Sequence, residues 1–426
     1  MKLIDELSSP AFLEFEAWAG LNKSNPESYG LSQETLASFK SQIQSRLLSI
    51  SDRLKKGTFK FSPTRASIIP KDNGKYRPLQ IPEIEDRVVL KGLAIILERE
   101  LKFLLTGSDG YSFAYQKGLG VKDAVTKMQE YYHKNNKYIF EADIINFFPT
   151  VERQPLLELI FKNLPDSSVN NLIELGIGQP VKGVELIKTE HRALFETSNS
   201  KGIPQGNPLS PLFSNLYLSS FDLEMKRHGF LLIRYADDFI VMCKDVDTAK
   251  KAYKESKEFL EKKLNLKVHE LGGEKNSKTR IVDPRKDVFS FLSVSFDGKK
   301  LFPSRKGVDK FVANIRRLCN AEGLVVDVYT VLFKLKFTVE GWVSTYFYTD
   351  LERYFEEIET TINQELFNTL KKLDWKLTKS SISKVKSVYR RRNSKGVLDS
   401  GHCLSDIQRK KSGIPFCKDV LKERRK

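Results

Sequence analysis

Residues 231–243 read LLIRYADDFIVMC, two apolar runs parted by a short acidic break. Runs of that length and composition form the arms of a hairpin buried on at least one face. The fold must therefore put Asp237 and Asp238 at the tip of a buried hairpin, where adjacent carboxylates are costly unless positive charge compensates. An isolated Tyr-x-Asp-Asp string is more often an ordinary turn than a site. A second segment changes the weighing. KYIFEADI (137–144) is another apolar strand with an aspartate, Asp143, at its end, and it runs into Asn146-Phe147-Phe148-Pro149 rather than into a normal turn. Carboxylates on two neighbouring strand ends can hold two divalent ions about 4 Å apart, the geometry of in-line phosphoryl transfer.

Around these strands the pattern is mixed. Residues 32–57 read as one amphipathic helix, with Leu36, Phe39, Ile43, Leu47, Ile50 and Leu54 at three- and four-residue steps, Ser32 to cap it and Gly57 to end it. Pro63, Pro70, Pro78 and Pro82 forbid a long helix in the next stretch, where Asn73-Gly74 marks a hairpin turn. Residues 83–105, 118–134, 209–228, 308–320 and 350–372 read as helical, and FSFLSVSF (289–296) as a strand. Strands and helices interleave without regular βαβ alternation, so the expected class is α+β. The four cysteines, Cys243, Cys319, Cys403 and Cys417, show no CxxC spacing, which excludes a disulfide framework and a four-cysteine zinc site. No apolar run approaches membrane-span length and the N-terminus lacks a signal-peptide pattern, so a soluble, cytoplasmic protein with no membrane partner is expected.

The charge is unevenly placed. The chain of 426 residues carries 71 Lys+Arg against 54 Asp+Glu, a net +17. Residues 371–426 hold 18 of the basic and 5 of the acidic side chains, a net +13, which leaves +4 for the first 370 residues. Such a block is either a nucleic-acid contact or a solvated tail. Trp375, Tyr389 and Phe416 among the basic residues favour nucleic acid.

Six segments then follow in a recognisable order: IPKDNGKYRPLQIPEIEDRVV (69–89), FEADIINFFPTV (140–151), SKGIPQGNPLSPLFSNLYL (200–218), RYADDFIVM (234–242), NSKTRIV (276–282) and FSFLSVSF. Together with PSRKGVDKF (303–311) and EGWVSTYF (340–347), they make the chain resemble the reverse transcriptases of the bacterial, group II intron-like kind. The resemblance implies a right-hand polymerase: a helical N-terminal extension (1–60), fingers and palm (61–300), a helical thumb (301–375) and a basic C-terminal RNA-binding tail (376–426). It implies that Asp143 and Asp237, with Asp238 adjacent, ligate two Mg²⁺ ions, or Mn²⁺ in their place, and that Ile144 belongs to the same metal set. Lys71 and Arg77 would reach the triphosphate, and Gln205 and Gly206 would line the nucleotide pocket. Phe148, five residues past Asp143, would be the ring that a 2′-hydroxyl strikes, while Phe147 belongs to the core. Lys278 would give a proton to pyrophosphate, unless it is simply a surface lysine before a strand. Phe291 and Leu292 would form the primer grip.

Two departures bear on function. The primer-grip segment has Phe291-Leu292-Ser293 where group II intron enzymes usually have Phe-Leu-Gly, and the cysteines cannot form the endonuclease module of mobile introns. What remains resembles a domesticated relative without intron-mobility machinery, as in the defence-associated enzymes that work with a structured noncoding RNA. The expected activity is RNA-directed DNA synthesis from dNTPs in antiphage defence. The rival is a maturase-like RNA-binding splicing factor. His402 and Cys403 are too isolated for a metal site and read as structural or solvated.

Overall fold

The computed structural model describes residues 1–71, 74–196, 200–272, 279–320, 327–372, 378–392 and 394–426. The chain divides into two compact units, Met1–Val282 and Asp283–Lys426.

The first unit opens with short helical turns and then α1 (Leu36–Ser41) and α2 (Ile43–Lys55). The single helix expected over 32–57 is thus shorter and broken at Gln42, whose backbone leaves the helical region (φ −122°, ψ 23°). Ser32 is not its cap, because its N–H and hydroxyl both donate to the Glu83 carboxylate, at 2.8 and 2.7 Å. Thr35 caps instead, accepting from the Ser38 N–H at 3.1 Å. The proline-rich stretch forms β1 (Thr64–Pro70) and β2 (Tyr76–Ile81), an antiparallel hairpin that pairs Ile69 with Arg77 and Pro70 with Tyr76. Asn73 lies outside the described residues, and Gly74 takes the left-handed φ (+74°) that such a turn requires. The helices α3 (Ile84–Glu100), α4 (Val121–His133) and, after β3 (Tyr138–Asp143), α5 (Arg153–Asn163) follow, and the short β4 (Val181–Lys182) adds parallel to β1.

The sheet that carries the carboxylates is antiparallel, in the order β5 (Leu231–Tyr235), β6 (Asp238–Cys243), β3, β7 (Arg280–Val282). Its apolar strands bury Phe140 and Phe239 against Phe221 of α6 (Ser210–Arg227) and Tyr253 of α7 (Val246–Lys263), with ring centroids 5.2–6.0 Å apart. Aromatic pairs in that range contribute about 0.5–1.5 kcal/mol beyond the area they bury.

In the second unit the expected strand over 289–296 is a hairpin. β8 (Phe289–Phe291) and β9 (Val294–Phe296) are joined by Leu292 and Ser293, both left-handed at φ +53° and +64°, and β10 (Leu301–Pro303) pairs with β9. Ser293 thus adopts the backbone for which glycine is the usual choice. The helices α8 (Arg305–Cys319), α9 (Val328–Tyr346) and α10 (Phe355–Lys372) follow. The last residues are folded onto these helices. Arg409 of α11 (Asp406–Lys411) is 0% exposed, bonded to Glu359 and Asn363 of α10 and to the Pro415 carbonyl, and lies 4.4 Å from the Phe416 ring. Cys403 and Cys417, the latter opening α12 (Cys417–Arg424), are buried, and His402 meets the Phe367 ring edge-on. Phe416 and Tyr389, the latter bonded to Thr360, therefore serve the unit's own packing rather than standing free among basic residues. Trp375 lies outside the described residues.

One buried acid makes the first unit sensitive to pH. Asp86 of α3 is 2% exposed and accepts from the Ser62 N–H and from Gln179, each at 3.0 Å, tying α3 to the chain just before β1 and β4. Burial pushes its carboxyl up from 3.8 to about 7 against the Ser62 hydrogen bond, and the nearby charges of Glu83 and Glu85 add to the rise. A carboxyl raised on folding takes up a proton between those two values, so its ionisation costs stability as pH rises from about 4 to about 7, by at most about 4 kcal/mol. Asp86→Asn should gain on the parent over that window and hold its advantage above it. Urea unfolding across about pH 5 to 8 measures this, and a constant difference between the two proteins would refute it.

Candidate active site

The register of the sheet brings the two acidic motifs together. Asp143, the last residue of β3, lies directly opposite Asp238, the first of β6, and Asp238 in turn faces Tyr235. Directly opposed residues of an antiparallel pair project to the same face. Asp237 stands one residue earlier, in the two-residue turn Ala236-Asp237. Ala236 is left-handed at φ +58° and Asp237 is not, the pattern of a type II′ turn whose first position normally takes glycine. All three carboxylates are half-buried.

The donor set is one of hard oxygens, which suits Mg²⁺. Among the described residues no three or more His, Cys, Asp or Glu side chains form a metal-holding group. Ile144 is 2% exposed and forms an antiparallel bridge with Val268, so its carbonyl is the only group it could offer an ion.

The residues expected to line a nucleotide pocket are joined to β2 by main-chain bonds. The Gln80 N–H of β2 donates to the Gln205 carbonyl at 2.8 Å. Gly206 has φ +105°, and a Cβ there would stand 2.7 Å from the Gln80 carbonyl oxygen. The close approach that demands glycine is thus made by β2 itself. Gln205 Oε1 is buried without a hydrogen-bond partner, an acceptor left for a donor from outside. Asn146 turns the chain out of β3 in a left-handed conformation (φ +48°), and the Phe148 carbonyl accepts from the Ile203 N–H at 2.9 Å. The half-buried Phe148 ring rests edge-on against Phe147, 5.4 Å away, and Phe147 is itself 1% exposed in the core. Phe148 and Gln205 are therefore held by adjoining stretches of backbone.

Lys71, at the tip of the β1-β2 hairpin, and Arg77 of β2 are exposed. Phe291 is buried and Leu292 forms the hairpin turn of the second unit. Lys278 lies outside the described residues. The sequence expectations omit Tyr115, a non-glycine residue at φ +59° that precedes α4. Its hydroxyl is raised above its ordinary value, first by burial and then by the charges of Asp237 and Tyr235, with Arg77 opposing. Nothing in YSFAYQKG singles it out. They omit Arg234 as well, although a cation inside the apolar run LLIRY is a legible signal, because a buried charge needs a partner.

Opposed carboxylates on adjacent strand ends, beside a glycine loop bonded to a β-hairpin, belong to the α+β fold of the right-hand nucleic-acid polymerases. The chain is a member of the reverse transcriptase (RNA-dependent DNA polymerase) family, whose model matches residues 69–295, more than half of its length. It is 25% identical to Protein YkfC of Escherichia coli (strain K12) over 229 residues, 52% of this chain and 56% of that protein. It is 27% identical to the Group II intron-encoded protein LtrA of Lactococcus lactis subsp. cremoris over 180 residues, 42% of this chain and 28% of that protein. The chain thus matches 56% or less of the length of these relatives. Among solved structures, a chain of the partial Cas6-RT-Cas1--Cas2 complex is similar at 26% identity and a TM-score of 0.35, over 66% of this chain and 44% of that one.

The position of Phe148 generates a test. If its ring occupies the space a ribose 2′-hydroxyl needs, Phe148→Ala should raise the kcat/KM for ribonucleotides relative to dNTPs by about tenfold or more, since a single steric contact is worth roughly 1–3 kcal/mol. An unmoved ratio would make Phe148 a packing residue.

Proposed function

We propose that this protein is an RNA-directed DNA polymerase that extends a primer with dNTPs on an RNA template, yielding DNA and pyrophosphate. The observation that carries the reading is the register of β3 and β6, which sets Asp143 opposite Asp238 with Asp237 in the adjoining turn. Asp143 and Asp237 would hold two Mg²⁺ ions, with Asp238 and the Ile144 carbonyl beside them. Bound there, the ions would activate the primer 3′ hydroxyl and neutralise charge on the α-phosphate and the leaving pyrophosphate. Lys71 and Arg77 bring positive charge to the triphosphate. The Gln205 amide orients the nucleotide, Phe148 excludes the 2′-hydroxyl, and Lys278 protonates the departing pyrophosphate. Phe291 and Leu292 hold the primer strand.

Asp237→Ala or Asp143→Ala should abolish primer extension, by at least about a thousandfold, and leave RNA affinity within about threefold. RNA affinity comes mainly from Lys and Arg on phosphates rather than from the metal site. Extension by either variant at near the parent rate would overturn the assignment.

The template in this reading is a dedicated structured noncoding RNA, copied in antiphage defence and held in part by the basic C-terminal residues. Sequencing the RNA that copurifies with the protein from its host tests this. One recurrent noncoding RNA supports it, whereas an intron RNA would favour the maturase-like reading, for which the similarity to a group II intron-encoded protein speaks. Removing residues 376–426 is the wrong test of RNA binding by the C-terminal segment, because it takes Arg409 and Cys417 out of the second unit's core. Lys384, Lys386, Arg391, Arg392 and Lys395 are exposed. Changing these five to Gln should lower the slope of log K against log salt by about 0.7 for each single-strand phosphate they neutralise, and by about two or more in total. An unchanged slope in filter-binding titrations would remove these residues from the RNA site.

A further inference from the structure

Arg234 is the next-to-last residue of apolar β5 and is 0% exposed, as is Asp222 of α6. The two form a forked pair, Nε to Oδ1 at 2.6 Å and Nη2 to Oδ2 at 2.5 Å. Withdrawing both charges from water is expensive, and buried pairs of this kind are often replaced by apolar residues with no loss of stability. The pair is therefore a poor device for holding the fold alone. What an apolar pair could not supply is the rest of the guanidinium. Nη1 donates to the Ala236 carbonyl at 3.1 Å and to Asn215 Oδ1 at 3.2 Å.

The first of those bonds leads straight to Asp237. Ala236 is the residue before it, and its left-handed backbone costs an alanine roughly 1–2 kcal/mol. Asn215 passes the contact on, its Nδ2 donating to the Ala114 carbonyl at 2.9 Å, one residue before the left-handed Tyr115. The backbone of Arg234 closes the same circuit, its N–H donating to the Tyr111 carbonyl at 2.7 Å and its carbonyl accepting from the Phe113 N–H at 2.9 Å. Two non-glycine residues with positive φ, Ala236 and Tyr115, are thus tied to one buried cluster, the first of them directly before Asp237.

We infer that Arg234, Asp222 and Asn215 are positioning residues that fix the Ala236-Asp237 turn so that Asp237 can take part in divalent-metal binding. The inference rests on the polymerase reading above. Arg234 touches neither nucleotide nor primer in this scheme and acts only through the turn it grips.

The test compares Arg234→Met/Asp222→Leu, which substitutes an apolar pair of similar bulk, with Arg234→Lys, which keeps the charge beside Asp222 but loses the fork. Each is read in three ways: thermal unfolding, Mn²⁺ affinity by electron paramagnetic resonance with template-primer and a non-hydrolysable dNTP analogue, and single-nucleotide kinetics. The double variant should melt within a few degrees of the parent, bind Mn²⁺ at least about tenfold more weakly and lose about a hundredfold in kcat, with the KM for dNTP within about threefold, because a displacement of about 1 Å can cost that much rate. Arg234→Lys should be folded and show the same pattern, so the proposal stays testable should the double variant not fold. Parental Mn²⁺ affinity and kcat in a folded variant would overturn the inference and leave the pair a packing element. The parent protein is run in parallel. Its failure to bind Mn²⁺ and extend the primer would instead overturn the polymerase reading, and this inference with it.

Discussion

The pairing of β3 with β6 fixes more of this molecule than any other contact. Side chains alternate along a strand, so a slip of one residue would move Asp143 to the opposite face from Asp238. Three features prevent that slip. Phe140 and Phe239 are committed to the aromatic cluster with Phe221, β7 pairs on the far side of β3, and the two-residue turn leaves β5 and β6 a single register. The opposition of the two carboxylates is therefore a consequence of apolar packing one to three residues away from them. Packing and chemistry are encoded in the same short segments, which is why these segments are so informative as sequence.

That overlap explains what the sequence makes legible. The hairpin of 231–243, the strand ending at Asp143 and the β1-β2 hairpin all follow from local patterns: apolar runs, an acidic break, prolines and an Asn-Gly turn. Where a residue's partner is distant, local patterns mislead. Ser32 has every local mark of a helix cap, yet its polar groups go to Glu83, 51 residues away, and Thr35 takes the role. Leu292-Ser293 carries no turn signal, and its left-handed backbone is imposed by the pairing of Phe291 with Val294. The basic C-terminal segment looks like an appendage by composition, because the Glu359 that neutralises Arg409 lies on a different helix.

Gly206 shows how a site residue can satisfy two demands at once. Its position beside Gln205 suits a backbone that must pass near a substrate, but its φ and the Gln80 carbonyl 2.7 Å from a would-be Cβ already forbid any side chain. The glycine lets β2 bond to the loop. In doing so it brings the hairpin that bears Lys71 and Arg77 to the segment that bears Gln205. A cluster assembled from distant parts of the chain thus depends on one missing methyl group.

The buried arginines follow a common rule. Arg234 spends its fork on Asp222 and its remaining N–H groups on the Ala236 carbonyl and Asn215, and Arg409 binds Glu359 and the Pro415 carbonyl. Arg425, at the end of the chain and more exposed, likewise joins Glu352 to the Phe347 and Thr349 carbonyls. Each carbonyl lies where the chain leaves regular structure, and leaving such a group unpaired and buried would cost about 1–3 kcal/mol. A guanidinium can neutralise an acid and satisfy such a carbonyl together because its five donors lie in one rigid plane, which a lysine ammonium cannot reproduce. In this protein the turn before Asp237 and the closure of the C-terminal segment both rely on that single property of arginine.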